Sequence, residues 1–256
     1  MSRARILLLA LLLAPALAPA AEGVHLDRAP IDGRDLISLQ RGAKIYLNYC
    51  LGCHSAGYMR YNRLEDLLLT PQQIRDNLIF TGAKVGDLMK SSMKPKDAKE
   101  WFGAVPPDLT VIARARASEA GSGADWLYTY LRSFYRDSSR PTGWNNVVYR
   151  DVAMPHVLWK LQGEQELRTE VVVISQGDDR EDLEKREVQK LVLARPGTMS
   201  PVEYDLLVRD LVNFLAYVGE PAKRTRMEIG IFVLLFLAVF FAFAYALKKE
   251  YWKDVH

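Results

Sequence analysis

The chain contains only two cysteines, and they stand three positions apart with a histidine directly after them: Cys50-Leu51-Gly52-Cys53-His54. Two thiols at this spacing can each add across one of the two neighbouring vinyl groups of a haem. The adjacent histidine then lies under the iron and supplies an axial imidazole. The motif therefore predicts one covalent haem c, attached through Cys50 and Cys53 and ligated by His54. Two rivals would use the same residues. A thiol-disulfide oxidoreductase would place its pair at a helix N-terminus beside a βαβ pattern, whereas this pair follows an amphipathic segment from Leu36 to Tyr49. A structural zinc would need two further ligands, recruited from His25, His156 and His256.

The two ends of the chain say where such a domain would work. Arg3 and Arg5 precede an apolar run from Ile6 to Leu13, and Ala18-Pro19-Ala20 followed by Ala21 fits a small-x-small cleavage site, so residues 1–20 read as a signal peptide. The apolar run is too short to span about 30 Å of hydrocarbon. Residues 229–247 carry no charge and match the roughly 20 residues a helix needs to cross a bilayer. Tyr245, Tyr251 and Trp252 suit an interfacial belt. Lysines and arginines flank both ends of this span, so orientation follows from the export signal: residues 21–221 on the periplasmic side of a bacterial inner membrane, 222–228 as a basic linker, and 248–256 as a cytoplasmic tail. A net charge of +3 with no basic stripe gives no reason to expect a nucleic-acid partner.

Between the ends the pattern is mainly α. Asp35 or Ser38 can cap a first helix running to about Tyr49, with Gly42 placed for a close helix crossing. Thr70, Pro71 and Gln73 form a capping box for a helix to about Phe80. Residues 81–108 are rich in Gly, Pro, Ser and Lys and read as a long loop ending in Val105-Pro106-Pro107-Asp108-Leu109. Helices are expected over 109–117 and, dense in aromatics, over 125–135. Residues 168–175 and 187–194 read as an antiparallel hairpin joined by the charged segment 176–186. Ser200, Pro201 and Glu203 open a further helix that Gly219 and Pro221 close.

A sixth iron ligand must come from a segment able to reach the opposite haem face. Met59, Met89, Met93, Met154 and Met199 are the candidates in the globular body. Met154 is favoured because Pro155 holds it extended in an apolar patch, with His156 as the rival that would give a bis-histidine iron. A haem propionate needs a cationic partner, and Arg114 and Arg116 follow the proline pair closely; Arg116 is the expected contact.

Taken in order, these residues resemble the cytochrome c1 family of bacterial type, the haem subunit of ubiquinol:cytochrome c reductase. The resemblance rests on Arg41-Gly42 and Tyr46 ahead of the cysteine motif, on Pro106-Pro107-Asp108-Leu109 followed by Ala113-Arg114-Ala115-Arg116, and on Met154. It continues through Gly197-Thr198-Met199-Ser200 into Asn213-Phe214-Leu215 and Glu220-Pro221 before the apolar span. It implies a mainly α, cytochrome c-like haem domain with a small β-hairpin excursion and one C-terminal transmembrane helix. It also implies cofactor contacts from Cys50, Cys53, His54, Pro107, Arg116 and Met154, with His54 and Met154 as the iron ligands. The implied partners are a cytochrome b subunit, a Rieske iron-sulfur protein as donor and a cytochrome c as acceptor, within a dimeric membrane complex. Electron transfer of this kind requires no acid, base or nucleophile. Asp178, Asp179, Glu181, Asp182 and Glu184 would steer a basic acceptor. A membrane-tethered cytochrome c serving another respiratory complex is the alternative.

Overall fold

The computed structural model describes residues 25–175 and 183–254, with backbone only at 173–175, 183–186 and 224. Helix α1 (Leu36–Ile45) starts at Asp35, whose carboxylate accepts the Ser38 amide at 3.0 Å. The expected single helix to Tyr49 instead changes pitch: Tyr46–Cys50 is a π turn, marked by the Leu51 amide donating to the Tyr46 carbonyl. Such widened turns gather at functional positions, and this one delivers Cys50. Strand β1 (Ala56–Arg60) and a 3₁₀ helix (Tyr61–Leu67) follow, then α2 (Pro71–Leu78) behind the complete Thr70/Gln73 capping box.

The segment expected to be a long loop is only partly one. It contains β2 (Leu88–Met89), paired antiparallel with β1, and α3 (Pro95–Phe102), which Pro95 starts and left-handed Gly103 ends. Its lysine-rich composition hid a short helix with one inward residue, Ala98. Helix α4 (Ile112–Ala115) is shorter than expected. Helix α5 (Gly123–Arg132) begins two residues earlier than its aromatic pattern suggested, because Ser122 and Asp125 cap it reciprocally.

Strands β3 (Phe134–Arg136) and β4 (Trp144–Asn146) pair antiparallel, and a short helix α6 (Trp159–Gln162) leads into a ribbon. That ribbon, β5 (Gly163–Ser175) with β6 (Leu183–Pro196), is longer than the hairpin read from the sequence. The side chains of Asp178, Asp179, Glu181, Asp182 and Glu184 lie outside the described residues, as do the signal segment and His256. Helix α7 (Pro201–Gly219) begins at the Ser200/Glu203 box. Helix α8 (Lys223–Tyr251) takes in all of the expected linker but Ala222; its stretch 225–251 is apolar and long enough to cross a bilayer.

The core is set by α1 crossing α7. A Cβ on Gly42 would collide with the Asp210 carbonyl and the Phe214 side chain, so only glycine permits this approach. Beside the crossing, buried Asp210 accepts from Ser38 Oγ at 2.7 Å, from Arg41 at 2.5 Å and from Arg209 at 2.7 Å. Helix α5 docks on α7 through Tyr204, whose hydroxyl donates to the Leu131 carbonyl at 2.8 Å, and through the Arg132–Asp205 pair at 2.6 Å. Gly123 lets α5 touch the backbone of α4 at Ala113. Helices α1, α4 and α5 thus all pack on α7, with an opening beside them.

Candidate functional site

That opening is a cavity of about 370 Å³, within the usual range for a bound organic group, and its walls are mainly apolar. Cys50, Cys53, His54, Pro107, Arg116 and Met154 all line it, so residues from distant parts of the chain converge on one space.

One wall is the motif. The π turn is followed by a tight turn in which the amides of Cys53 and His54 both donate to the Cys50 carbonyl, at 3.0 and 2.8 Å. Buried Tyr46 donates its hydroxyl to the His54 carbonyl at 2.9 Å. His54 Nδ1 stands 2.8 Å from the Pro107 carbonyl; a carbonyl can only accept, so Nδ1 carries the proton and the Nε2 lone pair is left free. Burial holds the His54 pKa below its ordinary value, only partly offset by the Pro107 bond and the Asp108 charge, so the ring is neutral near pH 7. The proline segment is itself fastened along the motif: the Leu109 amide donates to Ser55 O at 2.7 Å and the Gly57 amide to Asp108 at 2.7 Å.

The thiols are free, and burial pushes Cys50 up to about 12, helped by the neighbouring Cys53; burial also raises Cys53. A dithiol redox catalyst needs a depressed thiol pKa at a helix start. These sulfurs have the opposite electrostatics and follow a helix end. Among the described residues no group of three His, Cys, Asp or Glu side chains is assembled for a metal ion, so the zinc alternative finds no ligand set there.

Met154 lines the same cavity, and its sulfur accepts the Tyr130 hydroxyl at 3.4 Å. The loop that presents it is braced at Asp151, a non-glycine residue at φ 59. Arg140 binds the Asp151 carboxylate at 3.0 Å and its carbonyl at 2.9 Å, and the Asn145 side chain accepts its amide at 2.9 Å. The other methionines are elsewhere. Met59 and Met89 are buried in β1 and β2, the latter in a strand rather than the flexible loop expected; Met199 packs on the core, and Met93 lines a smaller cleft beside Cys53. His156, the rival ligand, is not among the cavity-lining residues. It stacks on Phe134 at 4.8 Å and meets Trp144 edge-on at 5.1 Å, and burial lowers its pKa to about 4.

Arg116 lines the cavity, while exposed Arg114 is not among its lining residues. Its guanidinium lies over the Trp126 ring at 4.5 Å and the Tyr149 ring at 5.5 Å, an aromatic seat that the sequence reading did not foresee. Trp126 in turn stacks on Tyr130 at 4.7 Å. Trp126, Tyr130 and Tyr149 are the functional neighbours that sequence reasoning missed; Tyr46 entered it only as part of the resemblance. The aromatic density over 125–135 was the available signal for Trp126 and Tyr130.

The donor set tests what the cavity would hold. Two thiols, a free imidazole lone pair and a thioether line one space among mainly apolar side chains, and one guanidinium is available for a carboxylate. This is the chemistry that a covalently attached haem requires.

Comparison with known proteins agrees. Residues 27–179 and 196–255 match the Cytochrome C1 family. The chain is 52% identical to cytochrome c1 of Allochromatium vinosum over 96% of each chain. It is 51% identical to a Nitrosomonas europaea protein named ammonia monooxygenase gamma subunit, over 98% of each chain. It is also 25% identical to the cytochrome b/c1 of Bradyrhizobium diazoefficiens, over 89% of this chain and 34% of that longer protein. With most of its length matched, the chain belongs to the cytochrome c1 family, membrane-anchored electron-transfer subunits of the bc1 type that carry one covalently bound haem c.

Proposed function

We propose that this chain passes electrons from a Rieske iron-sulfur protein to a cytochrome c, as the haem subunit of a ubiquinol:cytochrome c reductase on the bacterial inner membrane. The observation that carries the reading is that Cys50, Cys53, His54 and Met154 line one cavity. When bound, the haem supplies one-electron exchange between its ferric and ferrous states.

The chain's own residues do the rest. Cys50 and Cys53 would hold the cofactor through thioethers, and the tight turn between them sets the spacing of the two sulfurs and His54 along the chain. Pro107 keeps the proton on His54 Nδ1 and so presents Nε2 to the iron. Met154 supplies a soft ligand that favours the reduced state and raises the potential. Arg116, seated on Trp126, pairs with a propionate. Apolar side chains such as Leu127, Leu131, Leu211 and Leu215 keep water out, which lowers the reorganisation that each electron transfer demands.

The signal segment and the apolar stretch of α8 support a periplasmic haem domain on one transmembrane helix, and family analogy supports a dimeric complex. The fused name of the Bradyrhizobium relative supports a cytochrome b partner. The Nitrosomonas relative's name favours a second reading, in which the chain serves a monooxygenase complex. Affinity purification of the chain from native membranes in mild detergent separates the two. The reductase reading expects cytochrome b and a Rieske protein to co-purify and quinol to reduce the haem. Monooxygenase subunits in their place would overturn it.

A further inference from the structure

Beside the cavity lies a surface that electron transfer within the chain does not use. Ser91 ties the 81–108 segment to the motif: its amide donates to Ser55 Oγ at 2.9 Å and its hydroxyl to the Gly52 carbonyl at 2.8 Å. Lys90 is therefore adjacent in sequence to a residue that touches the attachment turn. Lys94 precedes α3, whose inward residue Ala98 lines a small cleft together with Cys53, Met93 and Val105. Lys96 and Lys99 share the outward side of that helix.

All four lysines are exposed, and none has a carboxylate within 4 Å among the described residues. The carboxylates on the same segment are exposed Asp87, which accepts the Lys84 amide at 2.8 Å, Asp97, partly buried in the first turn of α3, and exposed Glu100. Asp108, nearby, is occupied by the Gly57 amide and by Thr110. Two large apolar side chains stand exposed at the same edge, Trp101 at 65% and Val105 at 49%, and Val105 lines both the cavity and the small cleft. An exposed tryptophan offers an anchor of the kind that interfaces favour, and the like charges around it set up a field that attracts an oppositely charged partner.

We propose that the electron acceptor docks here through an acidic face around its own redox centre, on Lys90, Lys94, Lys96 and Lys99, with Trp101 and Val105 as the apolar contact. This rests on the electron-transfer reading above and reverses the sign expected from the acidic segment 178–184. Opposite charge would speed encounter at low salt and hold the partner's edge against the Cys53 side of the cavity.

The test uses the purified complex, reduced chemically with ascorbate so that no quinol step is involved, and mixed rapidly with an acidic or a basic cytochrome c of similar potential. The acidic partner should oxidise the haem about tenfold faster at 10 mM ionic strength. That advantage should vanish as salt shortens the screening length from about 30 Å toward about 3 Å. A Lys94→Glu/Lys96→Glu variant with an unchanged haem spectrum should invert the preference. A faster reaction with the basic partner at low salt, or a variant with both rates unaltered, overturns the proposal. Quinol reduction of the same sample, measured separately, reports on the reductase reading, so the two can fail independently.

Discussion

The hydroxyl of Tyr130 donates to the sulfur of Met154 across 3.4 Å. Tyr130 is buried, and its ring is held between Trp126 at 4.7 Å and Phe134 at 5.0 Å, so the bond has a fixed geometry. A donor on the thioether withdraws electron density that ferric iron needs more than ferrous iron. Tyr130→Phe should therefore lower the reduction potential, by about 20–60 mV if the bond carries an ordinary net hydrogen-bond energy. Redox titration of the purified variant checks this; an unchanged potential would mean that the bond does not act on the iron.

Met154 and His156 are separable. Met154→Leu should abolish the near-infrared sulfur-to-iron band and lower the potential. His156→Phe should keep the band, because the imidazole packs between Phe134 and Trp144 and does not line the cavity. Optical spectra of both variants decide the assignment, and the reverse pattern would make His156 the ligand.

Gly42→Ala should cost about 3 kcal/mol or more, because the added carbon meets the Asp210 backbone and cannot be relieved by a rotamer change. Thermal unfolding of the variant, followed at the haem band, measures it. Since α1 delivers the π turn and Cys50, covalent haem content should fall as well.

Asp210 gives a pH dependence of known sign. Burial alone would raise its pKa, but hydrogen bonds from Arg41, Ser38 and Arg209 outweigh burial and hold it below its ordinary value near 3.8. The carboxylate's contribution is complete above that value and is lost as pH falls through the lower folded value. Asp210→Asn should destabilise the domain at pH 7 by about 2–3 kcal/mol and flatten the acid limb of its stability profile. Denaturant unfolding at several pH values tests both effects, and parallel wild-type and variant profiles would contradict the account.

Much of this site could be read before any coordinates, and for identifiable reasons. The motif, the capping boxes at Thr70 and Ser200 and the apolar span depend on local chemistry, which adjacent residues carry in full. Helix α3 escaped notice because Lys96, Lys99 and Glu100 leave only Ala98 to mark its inner side. The π turn at Tyr46–Cys50 leaves no local pattern to read, and one contact that holds Tyr46 there, its ring against Phe214, comes from a residue far away in sequence. Arg116 was found by its distance from the proline pair. Its seat on Trp126 was not, because a cation–π contact leaves no spacing signal.

The central claim is that a porphyrin is bonded to this polypeptide at Cys50 and Cys53. Acid-acetone extraction of the purified chain followed by a pyridine haemochrome spectrum tests it most directly. The account predicts that one haem per chain stays with the protein and shows the spectrum of two saturated vinyl groups. Haem released into the acetone, or colourless protein with both sulfurs open to alkylation, would contradict it.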